Sequence, residues 1–233
     1  MSAAHVERIE RTRGAEPFRS LDDFARRTGL SRAVITRLAK AGTFGSLRLD
    51  RRTALWEALG QDQKKLPLFD RRMRETHQSD APVHGTHPEF LPAMSAAEEV
   101  LADYRTGGLS LRAHPLEFLR TKLEPRHVVT AEALKTLPHG QSVCVAGIVL
   151  VRQRPSAAKG ITFVTLEDET GTANLIIRSA VWRRYREAAL AATLLLAHGR
   201  LQRQGQVIHV LTTKLVDLSP WLRQLGAQSR DFR

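Results

Sequence analysis

Cysteine is almost absent from this chain of 233 residues, and the single Cys144 excludes an internal disulfide and any multi-cysteine zinc site. In the run Val143-Cys-Val-Ala-Gly147 it reads as a small buried residue of a strand, in keeping with a reducing cytoplasm. No apolar run reaches transmembrane length, and the opening Met1-Ser-Ala-Ala-His5 lacks the charged and apolar segments of a signal peptide. A cytoplasmic protein without membrane contact is expected. Acid is also in short supply: 24 Asp and Glu face 36 Lys and Arg, a net charge of +12 that favours a polyanionic partner.

The position of the excess is more informative than its size. Residues 1–65 hold 14 basic and 8 acidic residues, 66–138 hold 9 and 10, and 139–219 hold 10 and 5. Two basic blocks flank a near-neutral spacer, the arrangement expected of two modules holding one polyanion. The periodicity agrees, giving an α+β chain. A helical block spans 1–65, a linker 66–92, a helical bracket 93–138, a five-stranded barrel 139–219 and a tail 220–233.

In the first block, Ser20 caps a helix that stops at Gly29, Ser31 opens a second that ends near Gly42, and a third runs from about Asp50 to Gly60. Another short helix, from Ala3 to Gly14, precedes them. Leu30 to Gly42 admits two nucleic-acid readings. In a helix-turn-helix, the helix from Ser31 to Lys40 enters a major groove. In a helix-hairpin-helix, the Thr28-Gly29-Leu30 turn and the next helix N-terminus meet phosphate without reading sequence. The second is favoured because the helix has few side chains suited to base edges. Arg32, Arg37 and Lys40 then flank the phosphate; otherwise they form the solvated face of an amphipathic helix.

The linker holds Gln63-Lys-Lys-Leu-Pro-Leu-Phe69, in which Leu66, Leu68 and Phe69 form a partner-docking peptide anchored by Gln63, or fold back on the preceding helix. His77, His84 and His87 lack an acidic or cysteine partner at ligand spacing, so no metal site is read there. Beyond it, Ser95 and Glu98 form a capping box, and Pro115 opens a further helix.

Gln141 to Asp217 reads as strand, strand, strand, helix, strand, strand, the order of an OB-fold, a small barrel that commonly binds single-stranded nucleic acid or oligosaccharide. The first strand is apolar on both faces, as a barrel strand covered by helices requires, and Gly147 marks a sharp bend. Arg152, Arg154 and Lys159 crowd the first loop, Asp168-Glu-Thr-Gly171 is a hairpin turn, and Ser179 to Ala192 is the insert helix. Strands Thr193–Leu201 and Val207–Val216 are joined by a second binding loop, Gln202–Gln206. Phe163 is either a base-stacking platform or a core residue. With Arg178, Arg200 and Arg203 these residues are the candidate contacts of the barrel, with Trp182 after them.

Gly160-Ile-Thr-Phe-Val-Thr-Leu-Glu-Asp-Glu-Thr-Gly171, with Gly108-Leu-Ser-Leu-Arg-Ala-His-Pro-Leu116 ahead of it and Ser229-Arg-Asp-Phe-Arg233 after it, resembles the C-terminal third of the bacterial error-prone C-family DNA polymerases. These are relatives of the replicative polymerase III alpha subunit. Glu16 to Phe24 and Ala39 to Leu47 are similar to the helix-hairpin-helix region of that family. The resemblance implies DNA as partner, both single-stranded template and primer-template duplex, in repair and damage-tolerant replication. It also implies a sliding clamp or another translesion protein at Gln63 to Phe69, although Pro67 and Lys64-Lys65 depart from the usual clamp peptide. Nothing here matches the family's catalytic palm, so no catalytic residue and no cofactor is assigned, and the chain is expected to be inactive alone. It also begins inside the helix-hairpin-helix, as a truncated product or half of a split polymerase would. A stand-alone OB-fold protein for single-stranded DNA or tRNA is the alternative, and a helix-turn-helix regulator a third.

Overall fold

A computed structural model describes residues 2–60, 91–156 and 160–226. The chain divides into two compact units, one comprising Met1–Ser95 with Ala102–Leu109, the other Ala96–Leu101 with Ser110–Arg233.

The first unit contains α1 (Ala3–Arg13), α2 (Leu21–Thr28), α3 (Arg32–Lys40) and α4 (Arg51–Gly60). The caps read from the sequence form as hydrogen bonds. Asp23 N–H donates to Ser20 Oγ at 3.0 Å at the start of α2, and Gly29 closes that helix at φ 57°, a conformation that costs glycine least. Asp50 accepts the N–H groups of Arg52 and Thr53, capping α4. Leu21, Phe24, Leu30, Ile35, Ala39, Phe44, Ala54 and Ala58 form the core. Phe18, Phe24 and Phe44 meet edge to face at centroid distances of 5.0 and 5.2 Å, an arrangement worth about 0.5–1.5 kcal/mol per pair beyond burial. Buried Arg51 reaches Asp103 at 2.5 Å from the second half of α5 (Ala96–Gly107).

In the second unit the three-strand, helix, two-strand order is as expected. The barrel strands are β2 (Ser142–Gln153), β3 (Thr162–Asp168), β4 (Gly171–Ile177), β5 (Leu194–Gln204) and β6 (Val207–Asp217). They pair in the order β2-β3-β4-β6-β5, and β5 returns to β2 and closes the barrel. Parallel pairing of β4 with β6 makes the sheet mixed. A two-residue strand, β1 (Val128–Val129), runs parallel to β2 beside Cys144 and Val145. This is the five-stranded OB-fold with one short strand added, a strand too brief for any sequence period to reveal.

β2 explains its own apolarity. Val143 and Val145 enter the barrel core with Val164, Leu166, Leu175, Ile177, Leu195, Leu201 and Val210. Cys144 and Ala146 face outward into a second core with Leu101, Leu116, Leu119 and Leu123 of the helical bracket, with Leu218, and with Leu225 of α9 (Ser219–Leu225). At Gly147 the strand passes from β5 to β3, and a Cβ there would stand 2.7 Å from Leu166 Cβ and 2.8 Å from Glu167 O. Only glycine permits that crossing.

Two expectations are corrected. The insert helix is broken into α7 (Ser179–Arg184) and α8 (Arg186–Ala191) at Tyr185, whose φ −116° and ψ 38° leave the helical region. A continuous helix would set Arg183 and Arg186 one turn apart as a like-charge pair, destabilising by about 0.2–0.5 kcal/mol. The second correction concerns Gln202–Gln206, which is not a loop. β5 and β6 continue to Gln204 and Val207, joined by two residues with Gly205 at φ 60°, a turn that matches the strand twist.

The acidic turn between β3 and β4 locks the bracket to the barrel. Buried Asp168 accepts from the N–H groups of Ala131 (2.8 Å), Thr170 (2.8 Å) and Gly171 (3.1 Å) and from the Thr170 hydroxyl (2.7 Å). Arg120, in α6 (Arg120–Leu123), bonds both Asp168 (2.9 Å) and Glu169. Burial disfavours the Arg120 charge, but the two carboxylates more than offset it and raise its pKa. Asp168→Ala is expected to destabilise this unit by about 3 kcal/mol, since it orphans buried backbone donors and a guanidinium at once. Urea unfolding followed by tryptophan fluorescence measures this, and a loss below about 1 kcal/mol would refute the lock.

Candidate nucleic-acid interface

In the first unit, Arg32, Ala33, Thr36, Arg37 and Lys40 line one open groove of about 410 Å³ along α3. Their spacing puts them on a single helix face, with the apolar Ile35 and Ala39 turned into the core. The three cations singled out in the sequence therefore share one surface. Ser31 makes no side-chain bond at the N-cap of α3, so its hydroxyl does not cover the amide groups of the first turn.

In the barrel, strand register assembles a site that no local pattern displays. Gln153 lies opposite Phe163, Phe163 opposite Ile176, Ile176 opposite Leu211, Leu211 opposite Arg200, and Arg200 opposite Ser142. The row leaves β2 at one end and returns to it at the other, as the stagger of a closed barrel requires. The neighbouring row, Val164, Leu175, Val210 and Leu201, is at most 1% exposed, so the first row faces outward. Phe163, Ile176 and Leu211 are half-buried and belong to none of the three apolar cores. They make a low apolar platform with Gln153 at one end and exposed Arg200 at the other. Phe163 is thus on the outer face of the sheet, beside Thr165, whose hydroxyl meets Asn174 at 3.0 Å.

The remaining candidate cations separate into two kinds. The Arg152 Nε and Nη2 groups bond the Ala189 carbonyl at 2.8 Å and the Ala192 carbonyl, covering the C-terminus of α8. Burial lowers the Arg152 pKa against an opposing pull from Asp217. Arg203 Nη2 reaches the carbonyls of Leu134 (3.1 Å), Lys135 (2.7 Å) and Leu137 (3.1 Å) at the end of the 3₁₀ turn Ala133–Lys135. Arg154 instead lies over the Trp182 ring at 4.8 Å, with Arg186 at 5.8 Å from the same ring. Arg178 and Arg200 are exposed, and neither makes a side-chain hydrogen bond or ion pair among the described residues. Lys159, the peptide residues Gln63, Leu66, Leu68 and Phe69, and His77, His84 and His87 lie outside the described residues.

Ile176 and Leu211 escaped the sequence reading because each sits in an alternating strand where either parity can be core. The antiparallel β3–β4 register sets Ile176 opposite Phe163, and the parallel β4–β6 register adds Leu211 to the row. Among the described residues no group of three His, Cys, Asp or Glu is placed to hold a metal, and no helix is long and apolar enough to cross a membrane.

The two kinds of arginine predict different mutant behaviour. Arg152→Gln and Arg203→Gln should each lower the thermal midpoint, with about 1–3 kcal/mol lost as charge-bonded carbonyls lose their donor. Arg178→Gln and Arg200→Gln should leave it within about 0.5 kcal/mol of wild type. Differential scanning calorimetry distinguishes the pairs, and equal losses in all four would contradict the division.

A helix-hairpin-helix motif family matches residues 1–54. Error-prone DNA polymerase 2 of Rhizobium meliloti (strain 1021) is 40% identical over 238 residues, covering 100% of this chain and 21% of that protein. The error-prone DNA polymerases of Anaeromyxobacter dehalogenans (strain 2CP-1) and Azoarcus sp. (strain BH72) are 43% and 44% identical, each covering 97% of this chain and 19% and 20% of their own length. Among solved structures, asparaginyl-tRNA synthetase from Pyrococcus horikoshii aligns with 43% of this chain and 29% of its own at 18% identity and TM-score 0.34. The OBody AM3L15 bound to hen egg-white lysozyme aligns with 40% of this chain and 94% of its own at 13% identity and TM-score 0.34. The barrel is an OB-fold by its own strand order. Over its whole length, then, the chain is homologous to a segment amounting to about a fifth of the error-prone DNA polymerases.

Proposed function

We propose that this chain is a DNA-holding unit of an error-prone DNA polymerase, corresponding to its C-terminal portion and serving repair and damage-tolerant replication without the catalytic palm. The observation that carries the reading is the outward row Gln153, Phe163, Ile176, Leu211 and Arg200. A half-buried aromatic flanked by aliphatic side chains offers bases a π-face and an apolar surface, and stacking of this kind does not depend on sequence. Arg200 and Arg178 stand beside the platform with their charges available to phosphate. Arg154, stacked on Trp182, supplies a third cation at the first-loop end.

The α3 groove performs the complementary task. Arg37 and Lys40 on one helix face, with the amide groups of its first turn, suit a duplex backbone rather than base edges. The family relationship supports DNA over tRNA as the polymer held, and a clamp or another translesion protein is the proposed partner of Gln63 to Phe69.

Binding of labelled oligonucleotides against salt tests both halves. Phe163→Ala should weaken single-strand binding by about 1–3 kcal/mol, while duplex binding stays near wild type. Arg37→Gln with Lys40→Gln should weaken duplex binding and flatten its salt dependence by about 1.8 on logarithmic axes, about 0.9 per cation. tRNA bound more tightly than single-stranded DNA at equal salt would favour the stand-alone reading instead. Primer extension by the chain alone should not rise above background.

A further inference from the structure

Beyond the Arg200 end of the row, Cys144 on β2 lies across from His198 on β5, and His198 across from Lys214 on β6. Cys144 Sγ stands 3.9 Å from His198 Nε2. Arg126 joins from outside the sheet. It ends the 3₁₀ turn Glu124–Arg126 just before β1, and His127 at φ 52° swings the chain into pairing with Cys144. Its guanidinium is held over the Trp221 ring of α9 at 4.9 Å. The charges that act on Cys144 and on His198 are the same two, Arg126 and Lys214, both cationic. No carboxylate among the described residues acts on either group.

Three basic side chains thus converge without a counter-charge, on a surface the row described above does not use. Burial pushes the Cys144 thiol up against the opposing pull of Arg126 and Lys214, so it remains an S–H beside Nε2. Burial, followed by Lys214 and Arg126, keeps the His198 pKa low, so the ring rests neutral beside the thiol. Arg126 is oriented by Trp221, and the Lys214 side chain is exposed and makes no hydrogen bond or ion pair among the described residues. Such a cluster is arranged for an anion.

We propose that Arg126, His198 and Lys214 form a phosphodiester-binding subsite that receives the strand after it has crossed the platform. Arg200 connects the two. It ends the platform row opposite Ser142, and Cys144 and His198 lie two residues farther along β2 and back along β5, about 7 Å at roughly 3.3 Å per residue. The inference rests on the DNA-holding reading and adds a path to it: over Phe163, Ile176 and Leu211, past Arg200, and onto the cluster. An anion there favours the imidazolium, so binding takes up a proton. Affinity for a strand that reaches the cluster must rise as pH falls from about 7.5 to about 5.5.

The test compares oligo(dT) of about 8 and about 20 nucleotides, bracketing the range of single OB-fold sites, by fluorescence anisotropy with the full chain. Wild type should bind the longer strand more tightly by well over the statistical gain in sites. Arg126→Gln with Lys214→Gln should abolish that excess, weaken the longer strand about tenfold, reduce its salt slope by about 1.4, and leave the shorter strand unchanged. His198→Gln should remove the pH dependence of the longer strand alone. Equal weakening of both lengths, or an unchanged length excess, overturns the subsite while leaving the platform intact. Wild type that binds neither length overturns the DNA-holding reading and the subsite together. His198 ring resonances followed by NMR separate the sources. A shift produced by millimolar inorganic phosphate as large as that produced by the longer strand, without a length excess, assigns the cluster to free phosphate and overturns the strand path.

Discussion

The parallel pairing of β4 with β6 is the constraint on which the barrel and its outer surface depend. Two pairs of residues define it, Leu175 with Val210 and Ile176 with Leu211, and together they separate inside from outside. The first pair is fully buried in the barrel core. The second continues the outward row from Phe163 to Arg200. A slip of one residue would exchange the two sets, bringing Ile176 into the core and pushing Leu175 into water. The glycines support this register from either side: Gly147 lets β2 bend across β3, and Gly199 sits at a bulge where a Cβ would stand 2.5 Å from Leu211 O.

Charge in this molecule does two jobs. Arg27, Arg152 and Arg203 each reach two or more backbone carbonyls, Arg27 binding those of Thr12 (2.5 Å), Arg13 and Glu16 (both 3.1 Å). A planar guanidinium with several donors suits this use, since one side chain can satisfy carbonyls that a helix or turn leaves open. Arg120 does the same for carboxylates at the acidic turn. The cations that remain gather on outer surfaces, along α3, around the platform and beside Cys144. The net charge of +12 therefore overstates what is offered to a polyanion, and its distribution decides where one could lie.

Much of the fold was legible in the sequence because its signals are local. Ser20, Gly29 and Asp50 act through bonds to residues within a few positions, and the double-sided apolarity of β2 announces two cores. The site was less legible. Arg152 and Arg203 look like loop cations, yet carbonyls 37 to 69 residues away in sequence claim them. The extent of β5 and β6 was underestimated because Gln202, Arg203 and Gln204 resemble loop residues, while the two-residue turn at Gly205 lets the strands run on. Leu211 joins Phe163 and Ile176, and Lys214 joins His198, only through pairings between strands distant in sequence, and Arg126 arrives only because β1 pairs with β2; no spacing within one segment encodes these.

The proposed DNA-holding role depends on one surface, the outward row of the barrel. An amide chemical-shift titration of the full chain with oligo(dT) tests it directly. It predicts that Gln153, Phe163, Ile176, Leu211 and Arg200 shift together and saturate at one concentration, with the inner row Val164, Leu175, Val210 and Leu201 moving far less. Saturable binding that leaves Phe163, Ile176 and Leu211 unshifted would contradict it.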